Sequence, residues 1–182
     1  MLSFKVASSN YSSYERELKA ILEGDPPTLQ KYRKIASSQQ ILEAIDKLEE
    51  HPFLVVRAAG SHGFDLVALR GSLTLPIEVK CSGHPVIHFT ASKGRNREQY
   101  ESLLAHTRRA GLALFYAFRL VGTRGEDPWR LFSSSNMPEK GVVSVVARKT
   151  PQVDRTSSGN QVLRWPDGKP LMEFVAWTIA LS

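Results

Sequence analysis

Two acidic residues and one lysine lie near the ends of two apolar segments, and their types suit metal-assisted chemistry on phosphates. Residues 64–81 are typical of two strands joined by a glycine-containing turn at residues 70–72. Because side chains alternate between the two faces of a strand, Glu78 and Lys80 should project from one face. Closing the hairpin would bring Asp65 towards that face. Carboxylate oxygens suit a hard cation such as Mg²⁺, which polarises phosphoryl oxygens and activates bound water.

The same spacing has a plainer interpretation, and the residues alone leave both open. Glu78 and Lys80 can form an ion pair on an exposed strand face, which contributes at most about 1 kcal/mol. The apolar sequence around them favours a functional site, because charges that interrupt a buried strand need partners. In that interpretation Lys80 lies near the attacking water or the charged phosphate.

The order of several short motifs resembles a known family. Asp65 with Glu78-Val79-Lys80 resembles the core of the PD-(D/E)xK nuclease superfamily. The surrounding chain, over about residues 11–132, is similar to the archaeal-type Holliday junction resolvases. The segments that carry this likeness are Tyr14-Glu15-Arg16-Glu17-Leu18, Val55-Val56-Arg57-Ala58, Gly60-Ser61 leading into Asp65-Leu66-Val67-Ala68, Ile77-Glu78-Val79-Lys80, and Arg97-Glu98-Gln99.

The resemblance implies a fold and an activity. The fold would be α/β, a mixed β-sheet flanked by helices with a restriction-endonuclease-like core. The activity would be Mg²⁺-dependent cleavage of four-way DNA junctions, with Mn²⁺ as a substitute, by a homodimer that makes paired cuts. Asp65 and Glu78 would hold the metal, Lys80 would orient or activate the water, and Glu15 would assist as a further metal-site carboxylate.

The assignment of Glu15 has two rivals in the sequence. Residues 12–15 form a capping box, in which Glu15 would accept a hydrogen bond from the N-cap amide. Glu17 is the other carboxylate of the same helix, and we favour Glu15 because it occupies the sequence context in which the family places a site carboxylate.

Five residues are candidates for contact with DNA or for support of the site. Ser61 lies in a loop flanked by glycines, where backbone and hydroxyl can approach a phosphate. Lys93, Arg95 and Arg97 form the densest basic cluster, at an expected helix N-terminus that itself attracts anions. In the family a glutamine in the position of Gln99 lies beside the active site, although helix capping is its plainer role. A solvated loop with no ligand is the alternative for the cluster.

The charge distribution agrees with a polyanionic substrate. The net charge is +6, and residues 61–125 hold nine Lys and Arg against four Asp and Glu. The positive excess therefore lies in the segment that contains Asp65, Glu78 and Lys80, as expected for a protein that binds nucleic acid.

Length and composition predict a single intracellular domain over residues 1–182. The family comparison suggests an inserted helical segment at about 25–50 and an apolar C-terminal extension at about 140–182. We expect no membrane association, because no apolar run approaches the length of a span and the N-terminus lacks a signal peptide. One cysteine excludes an intramolecular disulfide and fits a reducing compartment.

Periodicity and turn residues predict the remaining elements. Helices are expected from about 12 to 24, 38 to 50 and 96 to 111, and residues 25–27 are expected to interrupt helical structure. Strands are expected at 53–58 (buried), 85–90, 112–120, 129–132, 142–147 and 162–165. Residues 150–160 are expected to form a polar loop. The segment from 170 onward is expected to be a helix or strand that packs on the core or on a second subunit.

Two rival functions remain at this point. One is a restriction-type or repair nuclease that acts on duplex DNA with the same core. The other is a non-catalytic DNA-binding module with a relict nuclease core, against which the complete set of Asp65, Glu78 and Lys80 argues.

Overall fold

A computed structural model describes residues 8–58, 63–89, 95–136 and 138–181. The helices are α1 (Ser8–Leu22), α2 (Pro26–Ile35), α3 (Gln39–Glu50), α4 (Arg95–Arg109), α5 (Val142–Lys149) and α6 (Leu171–Ile179). The strands are β1 (Leu54–Arg57), β2 (Leu66–Arg70), β3 (Leu73–Ser82), β4 (Val86–His88), β5 (Phe115–Leu120), β6 (Trp129–Ser133), β7 (Asp154–Arg155), β8 (Gln161–Arg164) and β9 (Lys169–Pro170).

A mixed six-stranded sheet forms the centre of the molecule, in the order β1-β2-β3-β5-β6-β9. Neighbouring strands are antiparallel except β3 and β5, which run parallel because α4 lies in the connection between them. The α/β fold with a mixed, helix-flanked sheet is therefore confirmed. A smaller antiparallel sheet has the order β4-β8-β7.

The two faces of the central sheet are covered differently. One face packs against apolar residues of α1, α2, α3, α5 and α6. The other face packs against α4 and the small sheet, around Leu103, Tyr116, Phe118 and Leu163. Because Glu78 pairs with Tyr116 and Lys80 with Phe118, both charged side chains project on the α4 face.

The hairpin of β2 and β3 has the expected turn. Arg70 pairs with Leu73, so Gly71 and Ser72 connect the strands, and Gly71 has a φ of +52°. Pro76 fits within β3 because its backbone faces the β5 side, where pairing begins only at Ile77.

The expectation that residues 25–27 only interrupt helical structure is wrong, because helix α2 begins at Pro26. The Oδ2 atom of Asp25 accepts a hydrogen bond from the amide of Thr28 at 3.0 Å, and Pro26 is the first helical residue. Proline is favoured there because the first amide of a helix has no intrahelical partner. The Asp-Pro-Pro sequence therefore begins a helix.

Two further sequence expectations are wrong. Strand β1 is an edge strand rather than a buried one, with Leu54 64% and Val56 50% exposed. The valine-rich segment expected as a strand at 142–147 is helix α5, which buries Val143, Val146 and Ala147 on one face. That spacing of three and four residues is helical, and it outweighs the strand preference of valine.

The C-terminal segment completes the fold of its own chain. Helix α6 packs against the main core, and the Phe174 ring lies 5.8 Å from that of Phe115. Residues 150–160, expected as a loop, include β7, which pairs with β8. No helix in the described ranges is long and apolar enough to cross a membrane.

Candidate active site

Asp65 occupies the point where β2 begins, and three hydrogen bonds fix it there. Its amide donates to the Ile77 carbonyl at 3.0 Å, and its carbonyl accepts from the Ala58 amide at 2.9 Å. Its Oδ2 atom accepts from the Val79 amide at 2.7 Å. Pairing between β2 and β3 stops at Ile77. The Asp65 carboxylate therefore accepts a hydrogen bond from the Val79 amide, which lies just beyond the paired part of β2 and β3.

The carbonyl of Val79 is directed towards the same edge of β3 as its amide, which bonds to Asp65. Within a strand, the N–H and C=O groups of one residue point to the same neighbour, and successive residues alternate. The carbonyl of Ser82 accepts from Val121, just beyond β5, whereas the amide of Val79 faces Asp65. The Val79 carbonyl is therefore directed towards the β2 edge of β3, where Asp65 lies, and side-chain motifs alone do not reveal this.

Glu78 and Lys80 lie on adjacent same-face positions of β3 and form an ion pair. The Nζ atom of Lys80 donates to Oε1 of Glu78 at 2.7 Å, and both side chains are mostly buried, with 26% and 20% of their surfaces exposed. The Glu78–Lys80 ion pair is therefore not an isolated pair on an exposed surface. Tyr116, opposite Glu78 on β5, belongs to an aromatic cluster with Phe89 and Tyr100 that forms an apolar wall.

Burial disfavours the ionised form of both strand carboxylates. It raises the pKa of Glu78 from 4.5 to about 6, because desolvation and the nearby Asp65 charge outweigh the opposing effect of Lys80. Burial also raises the pKa of Asp65, against the opposing effects of the Val79 amide and Lys80. A cation between these two groups would relieve the cost of their ionisation.

Glu15 lies near this pair but binds a different partner. Its Oε2 atom is 2.5 Å from Nη2 of Arg57 on β1. Its negative charge contributes to the raised pKa of both Asp65 and Glu78. Within the described residues, no three or more His, Cys, Asp and Glu side chains are grouped to hold a metal ion. The structure thus brings Glu15 close without making it a third member of a ligand cluster.

Glu17, the rival carboxylate of α1, is engaged elsewhere. Its Oε2 atom accepts from Nε of Arg119 at 2.9 Å. Its charge is not among the causes that shift the pKa of Asp65 or Glu78. Of the two, Glu15 is the one whose charge affects Asp65 and Glu78.

Two of the four expected DNA-contact residues lie outside the described part of the chain. Ser61 and Lys93 are not among the described residues, and for Arg95 and Gln99 only their positions in α4 are described. Arg95 is the first residue of α4, in agreement with a basic cluster at a helix N-terminus. The side chain of Arg97 is described, and its Nε atom lies 2.8 Å from Oε1 of Glu101.

Arg57 and Tyr116 are neighbours of the site to which the sequence analysis gave no role. Arg57 lies in the quoted segment Val55-Val56-Arg57-Ala58, so its place in a motif was the available signal. Tyr116 is one of several aromatic residues in an apolar strand, and only the parallel register of β3 and β5 identifies it as the neighbour of Glu78.

The chain is similar to known proteins both in sequence and in fold. A family model described as archaeal Holliday junction resolvase (Hjc) matches residues 30–156, a range that contains Asp65, Glu78 and Lys80 but not Glu15. Among solved structures, the chain is similar to Hjc of Archaeoglobus fulgidus, described as a Holliday junction resolvase from an archaeal hyperthermophile. That similarity has 21% sequence identity and a TM-score of 0.46, and it covers 80% of this chain and 95% of the other. No curated protein sequence matches the chain.

Proposed function

Because the chain belongs to the archaeal Holliday junction resolvase family, we propose that it is a Mg²⁺-dependent endonuclease that resolves four-way DNA junctions. The observation that carries the proposal is the convergence of Asp65 and Glu78 on one end of the sheet, with Lys80 bonded to Glu78. The basic segment around these residues supports a polyanionic substrate.

The residues present fit a hard divalent cation. Two carboxylates whose ionisation is disfavoured by burial, together with the Val79 carbonyl, offer only oxygen ligands. Mg²⁺ is commonly bound by one or two carboxylates and retains several waters that bridge to phosphates. Mn²⁺ accepts the same ligands and should substitute. Glu15, held by Arg57, would then act from the edge of the site, through a water or after movement of its side chain.

Each residue has a defined part in phosphodiester cleavage. When bound, the cation would polarise the scissile phosphate and acidify a water. Asp65 and Glu78 would hold it, the former fixed by the Val79 amide. The ammonium of Lys80, oriented by Glu78, would bind the attacking water or the charge that develops on the phosphate. The aromatic wall beside Glu78 would limit solvent access from the β5 side.

The substrate and assembly follow from the same proposal. A four-way junction has approximate two-fold symmetry, so paired cuts need two sites, and we propose a homodimer. Selection of branched shape requires mainly backbone contacts, so base-specific contacts should be few. Ser61, Lys93, Arg95 and Arg97 are the proposed phosphate contacts, and Gln99 is proposed to support the site.

A cleavage assay with two substrates tests the proposal. A synthetic four-way junction and a linear duplex made from the same arm sequences are incubated with Mg²⁺, Mn²⁺, Ca²⁺ or excess chelator. We expect cutting of the junction alone, in Mg²⁺ and Mn²⁺, with binding but no turnover in Ca²⁺. Cutting that depends on duplex sequence or damage would identify the rival nuclease class. Binding with no cleavage in any metal would identify a non-catalytic module.

A further inference from the structure

Arg119 links the strand beside the candidate site to helix α1. It lies on β5 opposite Cys81, the residue that follows Lys80 on β3. Only 17% of its side chain is exposed, and its Nε atom, its Nη1 atom and the face of its guanidinium group each have a partner. Nε is 2.9 Å from Oε2 of Glu17, Nη1 donates to the Leu120 carbonyl at 2.9 Å, and the group lies 5.0 Å from the ring centre of Tyr14.

These contacts fall on both sides of Glu15 in the sequence. Tyr14 and Glu17 are three residues apart and therefore occupy neighbouring positions on one helix face. A planar guanidinium group that stacks on one and bonds to the other restricts both sliding and rotation of that helical turn. Glu15 is carried by the same turn, so its distance from β3 depends on this contact.

A second set of contacts fixes the same helix to β1. The Nζ atom of Lys19 donates to the Val55 carbonyl at 2.8 Å, and Glu15 itself bonds to Arg57. With Arg119 on β5 and these groups on β1, α1 is held at two separate strands of the sheet. The Arg119 contact is the one made from β5, at the position that pairs with Cys81 of β3.

We infer that Arg119 is a positioning residue, which holds the turn of α1 at the height where Glu15 acts on the site formed by Asp65 and Glu78. The inference rests on the proposed function, since it assigns Arg119 a role through Glu15. Arg119 itself touches neither carboxylate in the described contacts and faces α1, on the opposite side of the sheet from Glu78 and Lys80.

A double-mutant cycle with a matched control tests this role. Arg119→Met removes the charge and the donors but keeps most of the side-chain length. Arg33→Met is the control, because Arg33 similarly joins α2 to α3 through Asp46 and Glu49, away from the site. Each substitution is made in the wild-type and Glu15→Gln backgrounds. The readouts are junction cleavage at saturating protein, junction affinity, Mn²⁺ affinity by electron paramagnetic resonance, and thermal unfolding.

We expect Arg119→Met to slow cleavage about tenfold or more, since small displacements of reacting groups are costly, and to weaken Mn²⁺ binding, with junction affinity unchanged. In the Glu15→Gln background it should have little further effect, because residues that act together are not additive. Arg33→Met should leave cleavage and Mn²⁺ binding unchanged. Equal effects of Arg119→Met in both backgrounds, no effect, or the same effect from Arg33→Met would overturn the inference. Absence of cleavage by the wild type would instead refute the proposed function.

Discussion

At the scale of single residues, the candidate site contains two carboxyl groups, Asp65 and Glu78, whose pKa values are raised by burial. Burial and the charge of Asp65 oppose the ionisation of Glu78, whereas the ammonium of Lys80 favours it. The balance favours the neutral form, so the pKa of Glu78 lies at about 6. Protons would therefore compete with the proposed metal for the same oxygen atoms near neutral pH.

The titration of Glu78 is a direct prediction. In carbon-13 NMR spectra of the metal-free protein, the carboxyl signal of Glu78 should titrate near pH 6, and Mg²⁺ should lower that midpoint because it binds only the ionised group. The spectrum of Glu78→Gln assigns the signal. A midpoint at or below 4.5, or one insensitive to Mg²⁺, would contradict the assignment of Glu78 as a metal ligand.

Substitution of the three central residues should separate chemistry from binding. Asp65→Asn, Glu78→Gln and Lys80→Ala should each lower cleavage at saturating protein by at least about a hundredfold, because each removes a group that is proposed to hold the metal or to act on the phosphate. Junction affinity should persist, since phosphate contacts elsewhere dominate it. Lys140→Ala, at an exposed lysine, is the control. Wild-type cleavage by Lys80→Ala would show that its role is wrong.

At the scale of elements, the sequence predicted best where local pattern and burial agree. The alternating pattern of β3 and the apolar run of β5 correctly predicted two strands. Gly71 lies in the turn between β2 and β3, and Gly111 follows the end of α4. The Asp65, Glu78 and Lys80 constellation was predictable because it needs only strand alternation and one hairpin. The partners of Glu15 and Glu17 join residues 42 and 102 positions apart, which no local pattern reveals.

The errors also have local causes. Valine favours strands, so the segment that forms α5 was mistaken for one, although its buried positions follow a helical spacing. The apolar residues of β1 suggested burial on both faces. As an edge strand, β1 buries only Val55, while Leu54 and Val56 are exposed on its other face. Secondary-structure preference does not specify which strand lies at an edge.

The N-terminus of α4 is predicted to hold DNA and not to catalyse. Replacing Lys93, Arg95 and Arg97 by Ala should weaken binding to DNA of many shapes and reduce the slope of log affinity against log salt by up to about 2.7, at about 0.9 per phosphate contact. Cleavage by saturated complexes should change little.

The matched control for this cluster removes equal charge elsewhere. Lys140, Arg148 and Lys149 are exposed around α5, and their triple Ala variant should retain the wild-type salt dependence. If both triple variants change the slope equally, the α4 cluster has no special part in binding.

Asp127 is predicted to stabilise the docking of α6. Its buried carboxylate accepts from the amides of Trp129 at 3.0 Å and Met172 at 2.9 Å, which joins the β5–β6 connection to the start of α6. Asp127→Ala leaves two amides unpaired and should lower the free energy of unfolding by about 2 to 4 kcal/mol. Chemical denaturation measures the loss, with exposed Asp167→Ala as the control.

The pH dependence of that loss has a definite sign. Burial raises the pKa of Asp127 from 3.8 to about 6. A raised pKa in the folded state means that the contribution of this carboxyl is full below pH 3.8 and declines as pH rises through about 6. The difference between wild type and Asp127→Ala should therefore be larger at pH 4 than at pH 8. The opposite trend would show that the ionised form is the better cap.

At the scale of the whole molecule, the fold places the candidate site at one end of the central sheet and uses both termini to support it. Helix α1 carries Glu15 from before the range matched by the family model, and β8, β9 and α6 follow after that range. These flanking segments bury Leu18, Ile21, Phe174 and Val175 in the main core. They are integral to the folded unit and are expected to be needed for a stable, correctly aligned site.

The central claim is that two such sites cut one four-way junction in a coordinated way. A supercoiled plasmid with an extruded cruciform tests this directly, because a single nick relaxes the plasmid and removes the junction before a second, independent cut. In Mg²⁺ the account predicts direct conversion to linear plasmid by the wild type and no conversion by Asp65→Asn. Accumulation of nicked circles alone, or an intact plasmid with the wild type, would contradict it.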